Sequence, residues 1–354
     1  MKFGRDMLKD VEGYVPGEQP KMPNIVKLNT NENPYPPSEK VMAVLRRLEP
    51  ETIRKYPDPL SLDLRTAAAE RYGLDGADWV IAGNGMDELL ALVIRTFVDP
   101  GDSILTTYPT YTLYETLAQL HGASIRMVHL DGAFQLTDSF FATPACIAIL
   151  ARPNAPSGVC APRVDVERLC REFDGLVIID EAYVDFADDH CLGFPARFDN
   201  AIVMRTFSKS FSLAGARLGL AFARPDIIAE FLKTKDSYNL NAITQAAGLA
   251  ALEDYAVMET NAAKVRATRT RLTQALREMD FDVPESQANF VLARRTTVPS
   301  AADIFKALRE RAIIVRYFDA PRLSGALRIT IGTDAEIDTL LAALGEILHA
   351  GPQP

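Results

Sequence analysis

The sequence predicts an α/β protein, with a mostly parallel central sheet between helices and a smaller α+β domain after it. Three observations carry that expectation. Compact apolar runs such as L-V-I-I at 176–179 and C-I-A-I-L at 146–150 lack polar alternation, as strands buried on both faces do. Segments of helical character separate them, the order that builds a parallel sheet. Beyond Pro225 the texture changes to long amphipathic segments followed by short strands.

The first 28 residues are polar and rich in turn formers, with Gly13, Pro16, Gly17, Pro20 and Pro23, and read as an N-terminal arm. N-T-N-E-N-P-Y-P-P at 29–37 reads as an ordered loop. Helices are expected over 38–48 and 61–72, a strand over 79–82, a helix over 87–98, a strand over 103–107 and a helix over 110–121. Strands follow over 124–130, 145–151, 175–180, 201–206 and 218–223. Next come helical segments over 227–236 and 242–279, the second read as one long helix, then strands over 289–293, 313–317 and 326–331. The organisation expected is an arm over 1–28, a large domain over 29–250 and a small C-terminal domain over 251–354.

The 354 residues are 48% apolar and 24% charged, values that exclude disordered and collagen-like chains. Lys and Arg number 38 against 47 Asp and Glu, and the net charge of −9 suits polyanionic nucleic acid poorly. No apolar run approaches the roughly 18 residues of a membrane helix, and M-K-F-G-R-D-M-L-K-D lacks a signal peptide's apolar core, so a cytoplasmic protein is expected. Cys146, Cys160, Cys170 and Cys191 show no C-x-x-C spacing and read as reduced core thiols. His121, His129, His190 and His349 form no H-E-x-x-H, which argues against a zinc site and a histidine-based triad.

The most informative stretch is R-T-F-S-K-S-F-S-L-A-G-A-R-L-G-L at 205–220. Its Lys209 follows a strand, lies among small and hydroxyl residues, and is the only lysine between Lys55 and Lys233. Partial desolvation there would lower its pKa and leave an amine able to form a Schiff base. L-V-I-I-D-E-A-Y at 176–183 puts Asp180 and Tyr183 just past a buried strand's carboxyl end, where α/β sheets collect ligands. A carboxylate there can pair with a protonated pyridine nitrogen. Metal binding by Asp180 and Glu181 is the competing use, disfavoured because neighbours on an extended chain point apart. I-A-G-N-G-M-D-E-L-L at 81–90 reads as strand, glycine turn and helix start, so the amides of Gly85, Met86 and Asp87 would face a phosphate. It has neither the G-K-[ST] of a Walker loop nor the third glycine of a dinucleotide fingerprint. Y-P-T-Y-T-L-Y sets Tyr108, Tyr111 and Tyr114 near another strand end, where an aromatic face could stack on a flat ring.

With A-R-P-N-A-P-S-G at 151–158 added, the chain resembles the fold type I pyridoxal-phosphate aminotransferases, and among them the histidinol-phosphate aminotransferase family. The resemblance runs from G-Y-V-P-G through L-N-T-N-E-N-P-Y-P-P, R-K-Y-P-D-P, G-N-G-M-D-E, D-E-A-Y and T-F-S-K-S-F-S-L-A-G-A-R to L-R-I-T-I-G-T. It implies pyridoxal 5'-phosphate as cofactor and a reaction in two halves. Histidinol phosphate gives up its amine, and 2-oxoglutarate then takes it as glutamate.

Carried over by position, the resemblance makes Lys209 the cofactor-bearing lysine, Asp180 the partner of the pyridine nitrogen and Tyr183 the phenol near the ring's O3′. Tyr111 matches the ring-stacking aromatic. Gly85, the amides of Met86 and Asp87, the hydroxyls of Thr206 and Ser208, and Arg217 match the phosphate cup. Tyr56 resembles a tyrosine that reaches the neighbouring subunit's cofactor, which implies a homodimer. Tyr14, Asn33, Arg316, Arg322 and Arg328 match substrate-binding positions. One departure stands out. The family usually has asparagine directly before P-[ST]-G, contacting O3′, but here that residue is Ala155. Either Asn154 reaches in with a shifted backbone, the reading favoured, or the contact is left to Tyr183.

An aromatic amino-acid transaminase and a threonine-phosphate decarboxylase would share this cofactor constellation, and its patterns do not separate the three. An effector-sensing domain of a transcription factor would need a fused DNA-binding domain, for which the sequence offers only the short arm before Asn29.

Overall fold

A computed structural model describes residues 3–5, 8, 9, 11, 13 and 17–349. A two-residue strand, β1 (Val26–Lys27), precedes α1 (Glu39–Arg46), whose N-terminus is capped by the Ser38 hydroxyl accepting from the Val41 amide. There follow α2 (Pro50–Arg54), α3 (Leu62–Tyr72), β2 (Val80–Gly83), α4 (Met86–Phe97), β3 (Ser103–Tyr108), α5 (Leu113–His121), β4 (Ser124–His129), α6 (Asp138–Phe141), β5 (Ile147–Ala151), α7 (Arg163–Glu172), β6 (Leu176–Asp180), β7 (Ala201–Thr206) and β8 (Gly219–Phe222). After them come α8 (Pro225–Thr234), α9 (Ala242–Glu253), α10 (Tyr255–Glu278), β9 (Phe290–Arg294), α11 (Ala301–Glu310), β10 (Ile313–Ile314), β11 (Arg316–Tyr317), β12 (Ala326–Thr330) and α12 (Asp334–His349).

Seven strands form one sheet in the order β2-β8-β7-β6-β5-β3-β4. The β7-β6-β5-β3-β4 run is parallel, while β8 is antiparallel to both β2 and β7. Strands β5, β6 and β7 are buried along almost their whole length, β5 being apolar throughout and β6 and β7 apolar until their carboxyl ends, where Asp180, Arg205 and Thr206 stand. The register sets Asp180 between Ala151 and Met204, so the carboxyl ends of β5, β6 and β7 finish together. Gly83, Tyr108, Ala151, Asp180 and Thr206 all end strands on this edge. A second sheet, β11-β12-β9, is antiparallel and pairs Arg316 directly with Arg328.

Three expectations change. The helix expected over 242–279 is two, broken at Asp254, whose backbone leaves helical geometry (φ −114, ψ 39). The break turns the Tyr255 ring toward Tyr72 and Phe211, at 6.2 and 5.7 Å between centroids. The strand expected over 313–317 is split around buried Val315, because β10 pairs with β1 and β11 with β12. The chain also carries helices not anticipated from its pattern, α2, α6, α7, α11 and α12, the last two covering the small sheet's side of the molecule. Among the described residues no helix is long and apolar enough to cross a membrane.

Candidate active site

The carboxyl edge of the large sheet opens into a cavity of about 460 Å³. Its floor is built by β6 and β7. Asp180 ends β6 buried at 4% exposure, with Oδ1 accepting from the Ala182 amide at 3.0 Å and Oδ2 accepting from the Tyr114 hydroxyl. Burial raises its pKa to about 6, against the opposing pull of those two donors. The adjacent Glu181 points the other way, into an ion pair with buried Arg205, so the two carboxylates do not form a shared metal site.

Lys209 sits in the connection between β7 and β8. Its Nζ donates to the Thr30 carbonyl at 3.3 Å and lies 5.7 Å from the centre of the Tyr183 ring. Desolvation, with Arg328 nearby, lowers its pKa to about 8, so a useful fraction of the amine is unprotonated near neutrality. The lysine loop is tied down at both ends: the Phe207 amide donates to Leu218 O and the Leu213 amide to Phe207 O, each at 3.0 Å.

At the cavity's other end α4 presents its N-terminus. Gly85 precedes it with φ 85, a left-handed conformation glycine adopts without strain. A Cβ there would lie 2.5 Å from Arg217 Nη2, so only glycine lets the guanidinium rest against this turn. Arg217 also donates to Ser208 Oγ at 3.2 Å and pairs with Asp87 Oδ2 at 3.2 Å, while Thr206 Oγ1 accepts from the Ser208 amide at 3.1 Å. Helix dipole, free first-turn amides, guanidinium and hydroxyl together make a seat for a phosphate. Tyr111 and Met86 line the same region, and the Tyr111 hydroxyl donates to Asp87 Oδ1 at 3.3 Å.

The third wall comes from the small sheet. Arg316 and Arg328 both line the cavity and flank the Phe318 ring at 5.2 and 5.4 Å. Arg328 Nη2 donates to the Asn29 carbonyl at 2.9 Å. The lining thus carries four cations, Lys209, Arg217, Arg316 and Arg328, against the carboxylates Asp87 and Asp180. A chain of net charge −9 therefore concentrates positive charge where an anionic ligand would enter.

Several expected residues lie elsewhere. Arg322 does not reach the cavity, because its guanidinium donates to the carbonyls of Leu130 (2.6 Å) and Asp131 and braces a loop. Asn33 is turned onto the lysine loop, its amide donating to Lys209 O and Ser210 O at 3.0 Å each, and it does not line the cavity. The favoured reading of Asn154 also fails. Its Nδ2 donates to Pro109 O (3.1 Å) and Ser157 Oγ (3.0 Å), its Oδ1 accepts from Thr110, and Ala155 takes the place on the cavity wall. Tyr56 does not line its own chain's cavity but is 81% exposed and stacked on Tyr238 at 4.5 Å. Tyr14 lies outside the described residues. Two site residues carry no local signal of their role in the sequence: Tyr114, whose hydroxyl donates to Asp180, and Asn31, two positions before Asn33, whose amide donates to Tyr183.

Residues 23–344 match the family described as aminotransferase class I and II. The chain is 47% identical over 343 residues to a histidinol-phosphate aminotransferase of Synechocystis sp., covering 97% of each chain. It is 41% identical over 348 residues to one of Rhodopirellula baltica, covering 98% of this chain and 96% of that protein. Its fold is similar to the crystal structure of a histidinol-phosphate aminotransferase from Sinorhizobium meliloti in complex with pyridoxal-5'-phosphate, with a TM-score of 0.84 and 26% identity over 92% of this chain and 91% of that one.

Proposed function

The chain belongs to the class I and II aminotransferases, and from that membership we propose that it moves the amine of histidinol phosphate to 2-oxoglutarate with pyridoxal 5'-phosphate, a step of histidine biosynthesis. The single observation that carries this reading is the placement of Arg316 and Arg328 opposite one another on the cavity wall facing Lys209, in a chain so similar to histidinol-phosphate aminotransferases. The residues present fit the cofactor: the Gly85 and Arg217 cradle suits its phosphate, and Asp180 stands where a carboxylate can hold a proton on the ring nitrogen.

Bound pyridoxal phosphate supplies an aldehyde that takes up amines and a ring that accepts an electron pair. The protein's part is orientation and proton handling. Lys209 Nζ, held to Thr30 O, is the base that removes the proton from the substrate's amine-bearing carbon. Asp180 stays in reach of the ring nitrogen because Tyr114 and Ala182 fix both its oxygens. Tyr111 and Tyr183 line the cavity where they would hold the cofactor, Tyr111 offering a ring face to it and Tyr183 a hydroxyl donor to its ring oxygen. Arg316 and Arg328 receive the substrate's phosphate, and Arg328 also takes a carboxylate of glutamate. In this reading residues 29–250 form the cofactor domain and 251–354 the substrate-closing one, in a cytoplasmic enzyme.

The test is a panel of donors offered singly to the holoenzyme and followed by cofactor absorbance. Histidinol phosphate and glutamate should convert it, unphosphorylated histidinol should be a poor donor, and phenylalanine, tyrosine and threonine phosphate should lag behind histidinol phosphate. Phenylalanine or tyrosine reacting as fast as histidinol phosphate would establish the aromatic transaminase instead.

The exposed Tyr56 and Tyr238 stack supports a homodimer in which Tyr56 completes the partner's phosphate site. Mixing Tyr56→Phe with Lys209→Ala protomers should restore activity above either parent, since a hybrid dimer holds one site with both lesions and one with neither. Exchanged heterodimers that stay as inactive as their parents would refute the shared site.

A further inference from the structure

Ala155 leaves the cavity wall without the carboxamide that the family places next to the cofactor's ring oxygen, and the amide of Asn154 is committed elsewhere. Another carboxamide does reach this wall. Asn31 is 1% exposed, lines the cavity, and donates from Nδ2 to the Tyr183 hydroxyl at 2.9 Å.

Its orientation follows from its neighbours. The Asn31 amide N–H donates to Thr330 Oγ1 at 3.0 Å, and the Thr330 hydroxyl spends its single proton on Asn31 Oδ1 at 3.1 Å. Asn289 Nδ2 holds the Asn31 carbonyl at 2.9 Å. Oδ1 is therefore the acceptor end, and the NH₂ end must face Tyr183. The phenol oxygen accepts, so its own proton is left to point into the cavity. Holding this arrangement keeps Asn31 at φ 56, a left-handed conformation that asparagine tolerates better than most residues. Strain of this kind persists where surrounding bonds impose it, and here four hydrogen bonds do.

We propose that Asn31 is a positioning residue that aims the Tyr183 hydroxyl proton at the cofactor's ring oxygen, and so replaces the carboxamide missing at Ala155. The inference rests on the cofactor reading given above. A hydroxyl donating to that oxygen favours its anionic form. Losing the Asn31 donor weakens Tyr183 as a donor and raises the pH at which the holoenzyme's visible absorbance changes.

The experiment is a pH titration of that absorbance, without substrate, in full-length holoenzyme. Asn31→Gly keeps the left-handed backbone and removes the donor. Its midpoint should rise by roughly 0.5–1 pH unit. Asn31→Asp also tolerates the backbone and keeps an oxygen for Thr330, but it accepts the Tyr183 proton, so its midpoint should rise further. It carries the test if the glycine variant does not fold. In a Tyr183→Phe background Asn31→Gly should add nothing. A midpoint unmoved in both Asn31 variants, or an equal shift with and without the Tyr183 hydroxyl, overturns the proposal and leaves Asn31 a brace for the strand end. If the parent protein forms no visible band with pyridoxal phosphate, the cofactor reading itself fails.

Discussion

Lys209→Ala should lower turnover by at least about 10³-fold while leaving cofactor affinity measurable, because the base is lost but Asp180 and the Arg217 cradle remain. Borohydride reduction of the parent holoenzyme followed by peptide mapping should find the reduced cofactor on Lys209, and its recovery on another lysine would sink the assignment. The same residue burdens the cofactor-free protein. Its folded pKa, about 8, lies below the ordinary lysine value of 10.5, so below pH 8 the folded state carries a charge that burial disfavours. Lys209→Met, which keeps the apolar stem, should therefore stabilise the cofactor-free form by about 1–3 kcal/mol at pH 7. Between pH 8 and 10.5 the unfolded chain binds more protons, the parent gains stability as pH rises, and the gap should close. Thermal unfolding across that range checks the sign.

Arg316→Ala and Arg328→Ala should each cut kcat/KM for histidinol phosphate by roughly ten- to a hundred-fold, the worth of a charge-assisted contact to phosphate. The two positions face each other across an antiparallel ladder, an arrangement of like charges that costs energy unless something anionic lies nearby. They should differ in the second half-reaction. Arg316→Ala should spare glutamate, whereas Arg328→Ala should harm both halves, because only Arg328 is assigned to both ligands. Steady-state constants for each substrate separate the cases. If Arg316→Ala leaves the preference for the phosphorylated donor unchanged, the phosphate is read elsewhere.

What was legible in the chain was whatever local chemistry encodes. Strands β5, β6 and β7 each carry a compact apolar run, Asp180 ends β6, and Lys209 follows the end of β7 in the next connection. Helix α4 announces itself through a glycine turn and acidic first-turn residues. What escaped depends on partners distant in sequence. The carbonyls that capture Arg322 lie 192 and 191 residues away, and those that hold Asn33 lie 176 and 177 away, so composition around either residue could not reveal that its donors were spent. Which of Asn154 and Ala155 faces the cavity is decided by loop register, set by Pro109, Thr110 and Ser157, and not by the local sequence. The break at Asp254 is invisible to periodicity because the apolar pattern continues on either side of it.

The antiparallel placement of β8 beside β7 bears on how the protein breathes. Thr206 pairs with Gly219 at the mouth of the lysine loop, inside the sheet and with strands on both flanks. Freeing that loop means breaking ladder bonds at the sheet's interior, so amide exchange at Phe207 and Leu213 should require nearly global unfolding. The opposite wall, which includes Thr30 and runs from Arg316 to Leu323, is carried by the shorter two-residue β1–β10 and β11–β12 pairings, so its amides should exchange sooner than those of the lysine loop. The cavity thus has one wall anchored inside the large sheet and one on short ladders, and Lys209 belongs to the anchored one.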